Sequence, residues 1–381
     1  MPTRHLPDSA PGEYKFYGKH PNYIPNKLPP DIGIPRTGDF QDTLQDTVYQ
    51  LGRLEGIGEE TDTSPVIYTT MVRREAVESV LIEGADIDIE EMFRPAEIDG
   101  DRTTTKDVQE ALNYEKAIRK GAAEVADTGA ITLELLKDLH AILLDGVRDN
   151  ADHSGTFREK PMHIPAPTPE EEPFYPPTHE QVPELMENLT GYLATGGTYR
   201  DLVDLGIVHY QFETIHPFGD GNGRLGRLLV TLQLIKDGYL VEPYLYPSAY
   251  FNEHKLEYVR KMRAVSEEGA WVPWLEFFLD GIRQQAADAV ERTEKLRDLR
   301  RTYEREYGHE KTATDRLAMR LFRKPYVTAN DVADLLQVTD QTARNAIREL
   351  EANGVLEETT GKQRYREYKA VDIFEIISQS L

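Results

Sequence analysis

The chain has 381 residues, no cysteine and a formal net charge of −23, with 67 acids against 44 bases. Such a length supports two or three domains, and the missing cysteines exclude disulfide frameworks, thiolate zinc sites and thiol nucleophiles. The acid excess argues against a surface built mainly for nucleic acid, since phosphate binding rests on lysine and arginine. No apolar run is long enough to span a membrane, and the opening "MPTRHLPDSAPGEYK" lacks the apolar core of a secretion signal, so a cytoplasmic protein with no membrane partner is expected.

Residues 1–45 are rich in proline and glycine and carry little periodicity, so they read as an extended arm or a loose tail that needs no fold of its own. From 46 to 103 comes a helical region, in which Met71, Ala76, Val80 and Leu81 fall near one side before Gly84 offers a stop. Residues 104–282 are helix after helix, with one exception. The stretch "HSGTFREKPMHIPAPTPEEEPFYPP", 153–177, has prolines and isolated aromatics that forbid a helix but allow an irregular extended hairpin, a flap over something.

After the flap, Leu202, Leu205, Val208, Phe212 and Ile215 recur at helical spacing, and Pro217 ends that helix. A second helix begins near Arg224. Between them runs "HPFGDGNGR". A tight loop of Gly221, Asn222 and Gly223 leading into a helix N-terminus can hold an anion, because the first backbone N–H groups are unpaired and carry partial positive charge. A P-loop is excluded, since the loop follows a helix and lacks the G-K-[ST] ending; the glycine spacing also fails the dinucleotide fingerprint. A plain turn between helices would account for the glycines and asparagine alone. Arg224 and Arg227, at i and i+3, share a face toward the loop, while His216 supplies a candidate base and Asp220 an oxygen ligand of the kind Mg²⁺ takes. A metal-bound polyphosphate would satisfy all of them.

These residues carry a resemblance. "HPFGDGNGR" followed by "LGR" matches the motif H-P-F-x-[DE]-G-N-G-R-x-x-R, and the chain is similar to Fic-domain protein adenylyltransferases over most of 104–282. The resemblance implies a mainly α fold: a Fic-type helical core with a small β-hairpin flap. It also implies transfer of AMP from ATP to a tyrosine, threonine or serine hydroxyl of a target protein, itself included. His216 would be the general base and Asp220 the Mg²⁺ ligand. Gly221, Asn222 and Gly223 would form the anion hole, with Arg224 and Arg227 on the outer phosphates and Phe218 anchoring the loop. Glycine at 223, where relatives that transfer a terminal phosphate have lysine, favours AMP transfer.

"SVLIEG", 79–84, matches the family's inhibitory pattern [ST]-x-x-x-E-[GN]. Ser79 and Glu83 share a helix face and Gly84 ends it. The resemblance implies that Glu83 pairs with Arg227 in the place of the γ-phosphate. His163, Ile164 and Tyr175 are nominated on the flap, as target contacts by strand augmentation. Tyr250, His254 and Tyr258 fall at helical spacing; core packing accounts for aromatics there, and His254 is the one nominated to meet the nucleotide. His140 and His209 sit in amphipathic helices as packing residues.

Residues 283–312 read as a charged surface helix linking domains, and 313–381 resemble a winged helix-turn-helix opened by Thr339 or Asp340. Arg344 and Arg348 lie on its recognition helix and Arg364 on its wing, a distribution suited to local DNA contact, though the same fold also serves protein docking or pairing into a homodimer. Two other functions fit the chain: an ATP-sensing transcriptional regulator acting through the winged helix, and an enzyme that also removes AMP.

Overall fold

The computed structural model describes residues 6–17, 20–59, 64–94, 105–147, 154–199 and 201–379. The fold is mainly α. Two long helices, α1 (Asp39–Glu59) and α2 (Ser64–Ile82), precede a single 3₁₀ turn at Ile89–Met92. The core follows with α3 (Lys106–Thr128), α4 (Leu133–Leu143), α5 (Val182–Ala194), α6 (Asp201–Ile215) and α7 (Asn222–Lys236). Threonines mark two of the starts: Thr105 accepts from the Val108 amide and Thr132 from the Leu135 amide, each satisfying an orphan donor of a first turn.

The centre of the core is α7. Leu225, Leu228, Val230, Leu232 and Leu234 point to different sides of it and all are buried, so "RLGRLLVTLQLI" is apolar all round because neighbours cover every face. The flanking helices are α6 and α3. Two short helices, α8 (Ser248–Glu253) and α9 (Lys255–Glu268), lead into α10 (Trp271–Tyr307). This 37-residue helix crosses the expected boundary at 282 without a break. Trp274 and Phe278 fill the core, and Ala286, Ala289, Val290 and Leu296 further along are also buried, with α1 lying against it. The expected surface linker is therefore a core helix, hidden by its small apolar residues among many charges.

The N-terminal stretch also departs from expectation. It contains a hairpin, β1 (Gly12–Tyr17) and β2 (His20–Pro25), in antiparallel register with Tyr14 opposite Tyr23. Pro21 and Pro25 mask the strand pattern, as proline does in edge strands. Tyr23 is fully buried, and its amide donates to the Tyr175 carbonyl at 2.8 Å, which places β2 beside the flap. The flap is the expected irregular hairpin, paired by the Ile164 and Phe174 amides donating to each other's carbonyls at 2.7 and 2.9 Å.

The C-terminal unit comprises α11 (Ala313–Arg320), β3 (Tyr326–Thr328), α12 (Ala329–Leu336), α13 (Asp340–Ala352), β4 (Leu356–Glu358), β5 (Glu367–Ala370) and α14 (Val371–Ser378). Its antiparallel sheet has the order β3-β5-β4, and Thr339 caps α13. The last helix docks back on the molecule. Phe374 meets Phe93 edge to face at 5.5 Å, Arg74 of α2 donates to the Ile377 carbonyl at 2.9 Å, and Arg292 of α10 donates to the carbonyls of Ile376 and Gln379, both at 2.6 Å.

Candidate active site

The loop between α6 and α7 begins with backbone strain. His216 follows the last residue of α6 and has φ +50°, a left-handed conformation usually left to glycine at a helix C-terminus. In a residue with a Cβ it costs about 1–2 kcal/mol, so something else must hold it. The amide of His216 donates to the Phe212 carbonyl at 3.0 Å, and Pro217 then turns the chain away.

Each next residue of the loop is fixed from inside. Phe218 is fully buried and stacks on His140 with ring centroids 3.8 Å apart. The Asn222 side chain accepts from the Phe218 amide and donates to the Phe218 carbonyl, both at 2.8 Å, closing the loop on itself. His140 accepts from the Gly155 amide at Nδ1, so its Nε2–H is the group that donates to the Asp220 carbonyl at 2.8 Å. Burial pushes the pKa of His140 down to about 4, which keeps that neutral form. His209 is equally satisfied, between the Gly226 carbonyl and the Tyr258 hydroxyl. Both histidines are thus packing residues as expected, and His140 also braces the loop.

Gly221 ends the loop at φ +74° as the cap of α7. The amides of the first turn, from Asn222 onward, have no partner within the helix and face the mouth of the site. An anion already sits there. The Glu83 carboxylate accepts from Arg227 Nη2 at 2.7 Å, and a Cβ built on Gly223 would come within 2.4 Å of Glu83 Oε1. Ser79 completes the grip, its hydroxyl accepting from Arg227 Nε at 2.9 Å and its carbonyl from Nη2 at 2.8 Å. Gly84, at φ +93°, turns the chain off the end of α2.

The electrostatics follow from burial. Arg227 is 1% exposed; burial works against its charge, but Glu83, Tyr258 and Glu213 hold its pKa above the ordinary guanidinium value. Burial tends to raise the pKa of Glu83, yet Arg227, with Arg224 and His216 behind it, holds the carboxyl below its usual range. The Glu83 side chain is nevertheless 44% exposed, so an incoming anion can reach it. Arg224, 1% exposed, donates to Glu110 of α3 at 3.1 Å and lies 3.7 Å from Asp220 Oδ1. Asp220 itself accepts from the Gly221 amide at 2.8 Å, with its side chain 31% exposed.

His216 faces this cluster. Its Nδ1 lies 3.2 Å from the Glu213 carbonyl, which can only accept, so Nδ1 carries the proton and Nε2 is the bare nitrogen. Burial lowers its pKa to about 4; Arg158 adds to this, and Glu83 and Asp220 oppose it. Neutral imidazole is the form that takes up a proton.

The structure thus joins His216, Asp220, Gly221, Gly223, Arg224 and Arg227 with Ser79 and Glu83. It turns Phe218 and Asn222 inward as braces. Tyr250 and Tyr258 are buried in the core; His254 stands at the break between α8 and α9, its ring tilted against Tyr250 with centroids 4.3 Å apart, and the neighbouring Lys255 donates to the Ile82 carbonyl at the end of α2. His163 and Tyr175 lie on the flap with centroids 6.0 Å apart, and Tyr175 stacks on His20. Arg344, Arg348 and Arg364 are exposed on the C-terminal unit. Three functional positions escape sequence reasoning: Glu110, Glu213 and Arg158. The latter two stand beside quoted motifs, in "FETIHPF" and "SGTFRE", whereas Glu110 has no local signal.

Fold and site together define an α-helical protein whose central helix offers an anion-binding N-terminus, covered by a carboxylate from another helix. Comparison names the family. Residues 130–234 match the Fic/DOC family, 42–123 the Fic/DOC family N-terminal region, and 314–367 a DeoR-like helix-turn-helix domain. The chain thus carries a Fic domain, with that family's N-terminal region before it and a helix-turn-helix domain after it. A probable protein adenylyltransferase of Aquifex aeolicus is 39% identical over 100 residues, 26% of this chain and 28% of that protein. Protein adenylyltransferase Fic of Culex quinquefasciatus is 28% identical over 152 residues, 39% of this chain and 27% of that one. The aligned stretches thus span less than a third of these relatives. The crystal structure of a Fic family protein from Desulfovibrio desulfuricans shares the fold over 88% of this chain and 97% of its own, with a TM-score of 0.57 at 23% identity. No helix among the described residues is long and apolar enough to cross a membrane.

Proposed function

We propose that the protein transfers AMP from ATP to a tyrosine, threonine or serine hydroxyl of a target protein, and that Glu83 holds the reaction in check. The observation that carries this reading is the Glu83 carboxylate lying over Gly223 and bonded to Arg227 at 2.7 Å, an anion of the chain's own in the anion site. The names of the relatives in Aquifex and Culex agree with it. In the transfer, His216 Nε2 takes the hydroxyl proton as that oxygen attacks the α-phosphorus. The bond to the β-phosphate then breaks and pyrophosphate leaves. The first amides of α7 and the two arginines stabilise charge that grows on the phosphates.

Among the described residues no group of three metal-ligating side chains exists. Asp220 is a single half-buried carboxylate beside the anion site, which fits Mg²⁺, an ion that takes one or two carboxylates and draws its other oxygens from phosphate and water. Asp220 would hold it, and Mg²⁺ supplies neutralisation of the leaving diphosphate. His254 is the candidate contact for the base or ribose. The flap would present the target. Ile164 spends both its backbone groups on Phe174, so the N–H and C=O of His163 face the opposite edge and are placed to pair with an added strand.

Breaking one side of a buried ion pair is worth roughly 3–5 kcal/mol, two to three orders of magnitude in rate, which is the size of the expected brake. ATP labelled at either the α- or the γ-phosphate tests the reaction. Label from the α position is expected on protein, including the enzyme, weakly with the wild type, strongly with Glu83→Gly and not at all with His216→Ala. Label from the γ position would overturn the assignment.

A second activity has its own support. Gln341, Arg344, Asn345 and Arg348 are exposed on one face of α13, next to the exposed wing with Arg364, as groove contact requires. Residues 321–381 carry eight basic and ten acidic groups, a net of −2 against −21 for the rest. Gel shifts at low salt with duplex DNA are expected to weaken with Arg344→Ala and Arg348→Ala; no shift at all would assign the domain to protein docking.

A further inference from the structure

Arginine buried in a protein normally faces a carboxylate. Arg158, at the base of the flap and 8% exposed, has no carboxylate at ion-pair distance among the described residues, and Glu180 acts on it only from further away. Its guanidinium is spent on backbone. Nε donates to the His216 carbonyl at 2.8 Å, Nη2 to the carbonyls of Pro177 and, at 3.4 Å, Ile215, and Nη1 reaches the Lys160 carbonyl at 3.5 Å. Its own amide donates to the Pro217 carbonyl at 3.0 Å. One residue therefore holds three consecutive carbonyls at the point where α6 ends and His216 adopts φ +50°.

We propose that Arg158 is a positioning residue: it locks His216 in its left-handed backbone conformation, and so aims the imidazole, while tying that conformation to both ends of the flap. The chemistry selects arginine. The last carbonyls of a helix have no partner and favour a cation, but only a planar fork with five donors reaches carbonyls on two segments at once. Lysine reaches one. The flap link has a consequence of its own: Lys160 and Pro177 bracket the hairpin, so the backbone that docks the target and the backbone that carries the base share a single clamp. A mere helix cap would need only the Ile215 and His216 contacts.

The inference rests on the AMP-transfer reading for its kinetic part, and its structural part can be read separately. In the full chain with Glu83→Gly, Arg158→Gln and Arg158→Lys are compared by three measurements: kcat and KM for ATP, ATP affinity by calorimetry, and the ring signal of His216 in histidine-labelled protein, assigned by its loss in His216→Asn. Arg158→Gln is expected to lower kcat about tenfold to a hundredfold, the scale of a misplacement near 1 Å, with ATP affinity within twofold of the parent and the His216 signal displaced. Arg158→Lys is expected to recover part of kcat and of the signal. An unmoved His216 signal or an unchanged kcat in folded Arg158→Gln overturns the proposal. If that variant does not fold, Arg158→Lys carries the test, and parental kcat with an unmoved signal overturns it. A displaced signal in a Glu83→Gly parent that transfers no AMP would instead remove the AMP-transfer reading and leave the positioning in place.

Discussion

Helix α2 is held at two places by the same chemistry run in opposite directions. At its C-terminal end an arginine of the core, Arg227, reaches into α2 and takes the Ser79 hydroxyl, the Ser79 carbonyl and the Glu83 carboxylate. Toward its middle an arginine of α2, Arg74, reaches out and takes the Ile377 and Gln379 carbonyls at the end of the C-terminal helix. The difference lies in what can compete. A carboxylate on a guanidinium at a helix N-terminus occupies a place that phosphate oxygens fill better, and it is 44% exposed. Backbone carbonyls held by a buried guanidinium have no soluble rival. On the proposed reading the first contact is the one exchanged for phosphate, and the second lasts.

That contrast predicts effects of different kind. Glu83→Gly is expected to raise AMP transfer by two to three orders of magnitude while moving the melting temperature little in the presence of ATP, whose phosphates take the place of the lost carboxylate on buried Arg227. Arg74→Met should do the reverse. It leaves the Ile377 carbonyl without its side-chain donor, while Gln379 keeps Arg292, at a cost of about 1–3 kcal/mol, and is expected to lower the melting temperature with transfer per folded molecule within about threefold. Thermal melts alongside initial rates check both; a Glu83→Gly protein that melts as low as Arg74→Met but gains no activity would erase the distinction.

How the sequence encodes these contacts explains which of them could be read from it. The loop was legible because every group it needs lies within twelve residues, His216 to Arg227, and their types are chemically narrow. Glu83 was legible only through its resemblance to a known pattern, since its partner lies 144 positions away. The contacts of Arg158 and Arg74 to main chain were not legible, although Arg158 itself stands in the quoted "SGTFRE". Their partners are carbonyls, which every residue has, so the sequence bears no trace of the choice. The N-terminal hairpin was hidden for a related reason, because its pairing with the Tyr175 carbonyl uses backbone and its prolines break the alternation that marks a strand. Contacts between unlike side chains leave a signature; contacts to main chain do not.

The smallest expected effect separates the two arginine contacts of α2 by pH. The Arg227 contact faces a buried carboxyl whose pKa is raised. Glu213 lies there, its carboxylate pressed so close to Gly226 that a Cβ would come within 2.0 Å of Oε1, and burial pushes its pKa up to about 7, with Arg227 opposing and Glu83 adding. A carboxyl whose pKa is higher folded than unfolded is neutral and harmless below about 4.5, and it becomes a buried charge as pH rises through 7. Glu213→Gln removes that late burden. Its stability relative to wild type should therefore be greater at pH 8 than at pH 5, by on the order of 1–3 kcal/mol. Arg74→Met, which loses two contacts to carbonyls and a 3.9 Å approach to Glu78, should show a deficit that changes less between the two values. Melting curves of the two variants and wild type at pH 5 and pH 8 make the comparison. A Glu213→Gln offset that does not change between them would mean that the carboxyl is already solvated, and that the exchangeable contact of α2 is as indifferent to protons as the fixed one.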